Sequence, residues 1–275
     1  IKPGFLSCFT VSYISALKED YDTALDWVDR FSSMASDSGE AAMVEFWRGL
    51  LHYWTGSRSE AMRELRRSHR LWGVVGNRVY QGSMDKVRAW MLLDGGDPVS
   101  AMNLHAREDT FRVRYFSYGK ANILALGALH RSYCGLDMGE IEASASAASA
   151  VDSLMPDLVP SWRNLFAYRL TQVQAAVWLG RGNADSAVAL CRRADPSGPV
   201  GTTPEALSWY LLSSLYRPSC DILPRAYIEK GDLESAIEAY ERLTIYDTSG
   251  PSRLWIRPEN HYALARLYEE KGMVA

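Results

Sequence analysis

The chain has 275 residues, 47% of them hydrophobic and 23% charged, which suits one large folded domain or a single elongated array. A net charge of -3 argues against a dedicated nucleic-acid binder, which would be clearly basic. No apolar run reaches the roughly 18 residues a membrane-spanning helix requires, so no membrane association is expected.

In chain order, a short pattern returns: a small or polar turn residue, then alanine five positions later. Glu19 and Ala24 give it first, followed by Gly56 and Ala61, then Gly96 and Ala101. A weaker, shifted copy runs from Gly135 to Ala143, and Gly182 with Ala187 restores the spacing. The clearest copy is Ala226-Tyr-Ile-Glu-Lys-Gly-Asp-Leu-Glu-Ser-Ala-Ile-Glu-Ala-Tyr240, with Tyr227, Gly231, Ala236 and Tyr240 in register. Tyr262 to Gly272 supplies a last first helix. The glycine lets the backbone leave one helix in a left-handed conformation. The alanine marks where the second helix approaches the first most closely.

Flanking segments have helical periodicity. Leu25, Val28, Phe31 and Met34 form one apolar stripe, and Phe46, Leu50, Tyr53 and Trp54 another. Residues 141–151 are rich in small side chains, as in a helix packed on both sides. The patch 113–118 comes nearest to a strand but reads as a helix start or loop. The prediction is all-α. The anchor alanines fall at 24, 61, 101, about 143, 187 and 236. All of these gaps exceed the roughly 34 residues of a standard helix-turn-helix repeat. Either the helices are longer or the loops between repeats carry insertions, and two insertions can be located: a Pro/Gly-rich loop at 195–204, ending in Thr203 as N-cap and Pro204 at the first helical position, and a second at 246–258.

With these residues in place, the chain resembles the tetratricopeptide-repeat superfamily over nearly its whole length, most specifically at 223–243 and 261–272. It looks like the repeat arrays of long bacterial signalling and regulatory proteins. The resemblance implies one domain over 1–275, a right-handed superhelical solenoid of about six and a half antiparallel helix pairs. It also implies a protein-binding scaffold whose first helices line a concave groove. Pro224 departs from the pattern, where the family prefers Gly or Ala; a helix there is expected to be kinked or to start late. The final repeat lacks its second helix, and the chain begins at Ile1 rather than methionine, so a piece of a longer protein is expected, with self-association through the cut repeat.

The residues expected on the groove are Phe46, Leu50, Tyr53 and Trp54, then Arg131, Arg169 and Gln172, and finally Arg225, Tyr262, Arg266 and Glu269. Aromatics and arginines are the side chains that dominate binding hot spots. Together they suit a peptide carrying an apolar anchor and carboxylates, although each one alone is more often a packing residue.

Other features point away from chemistry. His52, His69, His105, His130 and His261 show no paired metal spacing, and no phosphate loop or nucleophile elbow is present. No catalytic residue, cofactor or metal is expected. Cys8, Cys134, Cys191 and Cys220 are scattered, so they read as reduced core residues. Arg63, Arg66, Arg67 and Arg70 share one helical face, which reads as a solvated convex surface partly neutralised by Glu60 and Glu64. A patch for an acidic partner or a nucleic acid is the alternative. The cluster Arg107, Arg112, Arg114, Tyr115, Tyr118 and Lys120 reads as a covered helix junction before it reads as a binding patch.

The expectation is therefore a cytoplasmic, non-catalytic scaffold for a protein or peptide partner. The alternative is a ligand-sensing array of a transcriptional activator, with a small molecule in the groove.

Overall fold

The computed structural model describes residues 3–104, 129, 131–136, 160–193, 221–244 and 258–273. Among them every regular element is a helix and no strand occurs, as the periodicity predicts. The contacts separate two compact units, Ile1–Gly95 and Gly96–Ala275. The first contains α1 (Pro3–Leu17), α2 (Tyr21–Met34), α3 (Ser38–Trp54), α4 (Arg58–Val75) and α5 (Arg78–Asp94). The second contains α6 (Pro160–Gly180), α7 (Ala184–Arg193), α8 (Ile222–Glu229), α9 (Leu233–Thr244) and α10 (Pro258–Glu270).

In the first unit each helix packs on the next in sequence. In the second, α6 packs on α7, α7 on α8, α8 on α9 and α9 on α10. One local device builds these pairs. Glu19, Gly56, Gly96, Gly182 and Gly231 all have φ between 60° and 81°, the left-handed region. Reversal there lets the last carbonyls of the preceding helix accept two extra hydrogen bonds: Gly56 N–H to Tyr53 O and Ser57 N–H to His52 O, for example. At four of these turns the following residue then caps the next helix, while Ser57 makes no side-chain cap bond. Asp20 Oδ1 accepts from Thr23 N–H, Asp97 Oδ1 from Ser100 N–H, Asn183 Oδ1 from Ser186 N–H and Asp232 Oδ1 from Ser235 N–H. These bonds hold the Asp97 and Asp232 carboxyls below their ordinary pKa. Five positions past the turn, Ala24, Ala61, Ala101, Ala187 and Ala236 are completely buried. The weaker copy near Ala143 and the patch 113–118 lie outside the described residues, as do both insertions apart from Pro258.

A second small residue stands on the facing helix. Ser12 Oγ donates to the Ala24 carbonyl at 2.7 Å. A β-carbon on Gly49 would lie 3.2 Å from the Ala61 carbonyl and 3.0 Å from Leu65 Cγ. Buried Ala175 and Pro224 hold the equivalent places before Ala187 and Ala236. Helix α8 begins only two residues before Pro224, so the proline lies in the first turn, where its missing N–H costs nothing.

The core of the first unit is aromatic. Val28 and Phe31 on α2 are fully buried, and Phe9 meets Phe31 at 6.1 Å. The Trp47 ring lies 5.2 Å from Phe9, 5.7 Å from Tyr13 and 5.4 Å from Trp54. Burying such a ring or a leucine is worth roughly 1.5–3 kcal/mol. Helix α3 starts at Asp37, which accepts from Gly39 and Glu40 N–H, while Glu40 reaches back to accept from Ser36 N–H and Oγ at 2.8 Å. Cys8, Cys134 and Cys191 are buried.

Candidate functional site

The residues expected on the groove separate into four groups. Phe46, Leu50 and Tyr53 are 7%, 0% and 1% exposed, and Gln172 is 4% exposed. They are core side chains, because the same helical stripe that points off one helix is covered by its neighbours. Tyr53 Oη also donates to the buried Asp94 carboxylate, whose backbone carbonyl accepts from Arg58 at 2.7 Å. Trp54 is partly exposed, with its ring edge-on to Trp47 and its indole N–H buried without an acceptor among the described residues.

Arg225 is occupied within the fold. Its Nε donates to Asp221 Oδ2 at 2.9 Å, and its guanidinium lies over the Tyr133 ring at 5.4 Å. Asp221, 2% exposed, also accepts from Tyr240 Oη at 3.3 Å, and its backbone N–H donates to Tyr133 Oη at 2.7 Å. A carboxylate this deeply buried needs its cation, so the arginine is structural. Arg131 is partly exposed on the helical segment 131–136. The Arg169 side chain lies outside the described residues, as do His105, His130, Cys220 and the cluster 107–120.

Tyr262, Arg266 and Glu269 are brought together. They sit at helical spacing on α10, and all three are exposed, Tyr262 at 60%. The opposite face of α10 is tied down through buried Leu267 and a hydrogen bond from Tyr268 Oη to Glu241. Lys271 adds an ion pair to Glu234 at 2.9 Å. The exposed face thus presents an aromatic ring, a guanidinium and a carboxylate on one helix.

The arginine row on α4 is exposed along its length, and its neutralisation differs from the expected pattern. Arg63 donates to Glu64 at 3.0 Å, as expected, but Arg67 reaches across to Glu45 on α3 at 3.3 Å. Glu60 instead accepts from Ser59 at 2.6 Å, which holds its carboxyl below the usual range, with the Arg63 charge helping. Glu45 on α3 and Glu64 on α4 are 4% and 7% exposed. Burial, with the hydrogen bond to Glu64, pushes the Glu45 carboxyl up to about 7. Burial also opposes charge on Glu64, but the hydrogen bonds from Glu45 and Arg63 outweigh it and hold its pKa below the ordinary value. Arg48 joins the cluster, 3.4 Å from Glu45 and 2.8 Å from Asp29 on α2. Sequence reasoning missed Glu45. The available signal was a lone carboxylate inside the apolar run Ala42-Met-Val-Glu-Phe-Trp47.

Among the described residues no three His, Cys, Asp or Glu side chains gather to hold a metal ion. His69 instead faces Asp85 on α5 at 3.4 Å. No described helix is long and apolar enough to cross a membrane. No protein-family model matches the chain, and no curated protein matches it.

Proposed function

We propose that the chain is a tetratricopeptide-like α-solenoid acting as a non-catalytic docking scaffold for a protein or peptide, within a larger bacterial signalling or regulatory protein. The observation that carries this reading is the recurrence, in both units, of one unit of construction: left-handed turn, side-chain cap, completely buried alanine. A chain that repeats its turn while varying its surfaces is organised to present faces, because each repeat contacts chiefly its neighbours. The face best suited to recognition is Tyr262, Arg266 and Glu269 on α10. Arg266 takes a carboxylate of the partner in a forked hydrogen bond, and Tyr262 packs against an apolar side chain.

Selection of random peptides displayed against the purified chain tests this. Binders are expected to share an acidic residue next to an apolar anchor and to lose binding when Tyr262 and Arg266 are both replaced by alanine. Binders indifferent to that double change would exclude this face. Failure to select any peptide, combined with thermal stabilisation by a small metabolite, would reject the scaffold in favour of a ligand sensor.

A further inference from the structure

Helix α4 concentrates positive charge in a chain whose net charge is -3: it carries five arginines against two glutamates. Arg63, Arg66, Arg67 and Arg70 recur at spacings of three and four, which sets them on one helical face, and all four are exposed. The same face continues to Val74, which is 77% exposed. Like charges at this spacing repel one another along a helix, so the row destabilises α4 unless something outside answers it. We propose that this face is a docking surface for an acidic helix of a partner protein, with the arginine row taking its carboxylates and Val74 packing against an apolar side chain.

The fold answers only part of this charge. Arg63 pairs with Glu64 at 3.0 Å and Arg67 with Glu45 at 3.3 Å, yet their side chains stay 65% and 59% exposed, so each keeps N–H donors in contact with solvent. Glu60, the other carboxylate of α4, accepts from Ser59. On α5, Asp85 is shared between Arg88 at 2.7 Å and His69 at 3.4 Å. Arg66 and Arg70 have no ion pair or hydrogen bond among the described residues. Burial lowers the pKa of Arg88, and the charge of Arg66 lowers it further against the pull of Asp85, so a second guanidinium stands near Arg66 from the adjacent helix.

The chemistry of the face selects its partner. A guanidinium is weakly hydrated and its planar fork matches a carboxylate, so an exposed arginine without a partner is prepared for an ion pair across an interface. A nucleic acid would use the same charges but would also stack its bases on aromatic rings. Trp72, the one aromatic residue of α4, is instead buried and stacked on Tyr80 at 4.3 Å, and the row ends in an aliphatic side chain. The face from Arg63 to Val74 is roughly 16 Å long at the rise of an α-helix. A partner helix with carboxylates every three or four residues repeats the arginine spacing along that length. The surface uses no residue of α10, and it stands whether or not the α10 face binds.

The test titrates the intact chain into a fluorescein-labelled synthetic helix that carries glutamate every three or four residues and leucine in its last turn. Micromolar binding is expected, several-fold weaker when salt rises from about 50 mM to about 150 mM. Arg66→Ala combined with Arg70→Ala should weaken it about tenfold at an unchanged melting temperature, since neither side chain holds a partner in the fold. Arg266→Ala should bind as the unaltered chain does, which separates this surface from the α10 face. In 15N spectra of the unaltered chain, the added helix is expected to shift amides of α4 and α5, a readout that needs no variant to fold. No binding at about 1 mM of the synthetic helix, equal binding of its glutamine version, shifts elsewhere than α4 and α5, or unchanged affinity in the double variant would each overturn the proposal. Tighter binding of a single-stranded RNA of equal charge would overturn it in favour of a nucleic acid.

Discussion

Gly49 on α3 and Ala61 on α4 meet so closely that a β-carbon on Gly49 would come within 3.2 Å of the Ala61 carbonyl oxygen and 3.0 Å of Leu65 Cγ. One of these neighbours is backbone and cannot rotate away. Gly49→Val is therefore expected to cost about 2 kcal/mol, as over-packing outweighs any gain from removing a helical glycine. Urea denaturation of the purified chain measures it. A neutral result would mean that the seam can open without loss.

Ser12 occupies the same place on α1 and uses its hydroxyl instead of its size. It donates to the Ala24 carbonyl and accepts from Trp47 Nε1–H, both at 2.7 Å, with all three residues completely buried. Ser12→Ala strands an indole N–H and a carbonyl in the core, for an expected loss of about 1–3 kcal/mol. Trp47→Phe in the Ser12→Ala background should cost less than Trp47→Phe alone, because the shared bond has already gone. Strict additivity in that double-mutant cycle would count against the bond.

The turns offer a paired test of backbone conformation. Gly231 has φ 73° with nothing within 4 Å of a built β-carbon, so Gly231→Ala meets no clash. It is nonetheless expected to destabilise by about 1 kcal/mol, through the left-handed backbone alone. Glu19 already bears that strain at φ 60°, and Glu19→Gly should raise the melting temperature, a gain of about 0.5–1 kcal/mol. Equal and opposite signs are the signature; the same sign for both would refute it.

These turns were the part of the fold most legible in the sequence. The spacing from turn residue to alanine marks both, even at Glu19, where glycine is missing, because a left-handed exit and a tight helix contact each restrict residue type. One turn escaped. Gly76 also has a positive φ and leads into Asn77, which caps α5 by accepting from Tyr80 N–H, but Gln81 stands where the alanine would be. The close approach is instead relieved on the other side: a β-carbon on Gly73 would fall 2.6 Å from Gln81 Nε2, and Gln81 donates to the His69 carbonyl. A one-helix pattern cannot reveal a compensation made on its neighbour.

The candidate surface was less legible for a related reason. Phe46, Leu50 and Tyr53 on α3 share the helical spacing of Tyr262, Arg266 and Glu269 on α10, yet the first set is buried and the second exposed. Spacing tells which residues share a face, and only the neighbouring helices decide whether that face is covered. Glu45 shows the same limit, since the cation Arg67 reaches it from the adjacent helix.

Arg225 and Arg266, equivalent on sequence grounds, are expected to behave differently. Arg225→Ala removes the cation from buried Asp221 and should destabilise the fold by about 2–4 kcal/mol, with loss of the Tyr133 and Tyr240 contacts around it. Arg266→Ala alters an exposed residue and should leave stability within about 0.5 kcal/mol. Thermal and urea melts of the two variants side by side check this.

Calorimetric titration of a selected acidic peptide into the unaltered chain and into Arg266→Ala bears most directly on the proposed scaffold. The scaffold reading predicts roughly tenfold weaker binding to the variant at an unchanged melting temperature, the loss expected of one central arginine–carboxylate contact. Unchanged affinity would contradict it, and α10 would then be an exposed helix with no part in recognition.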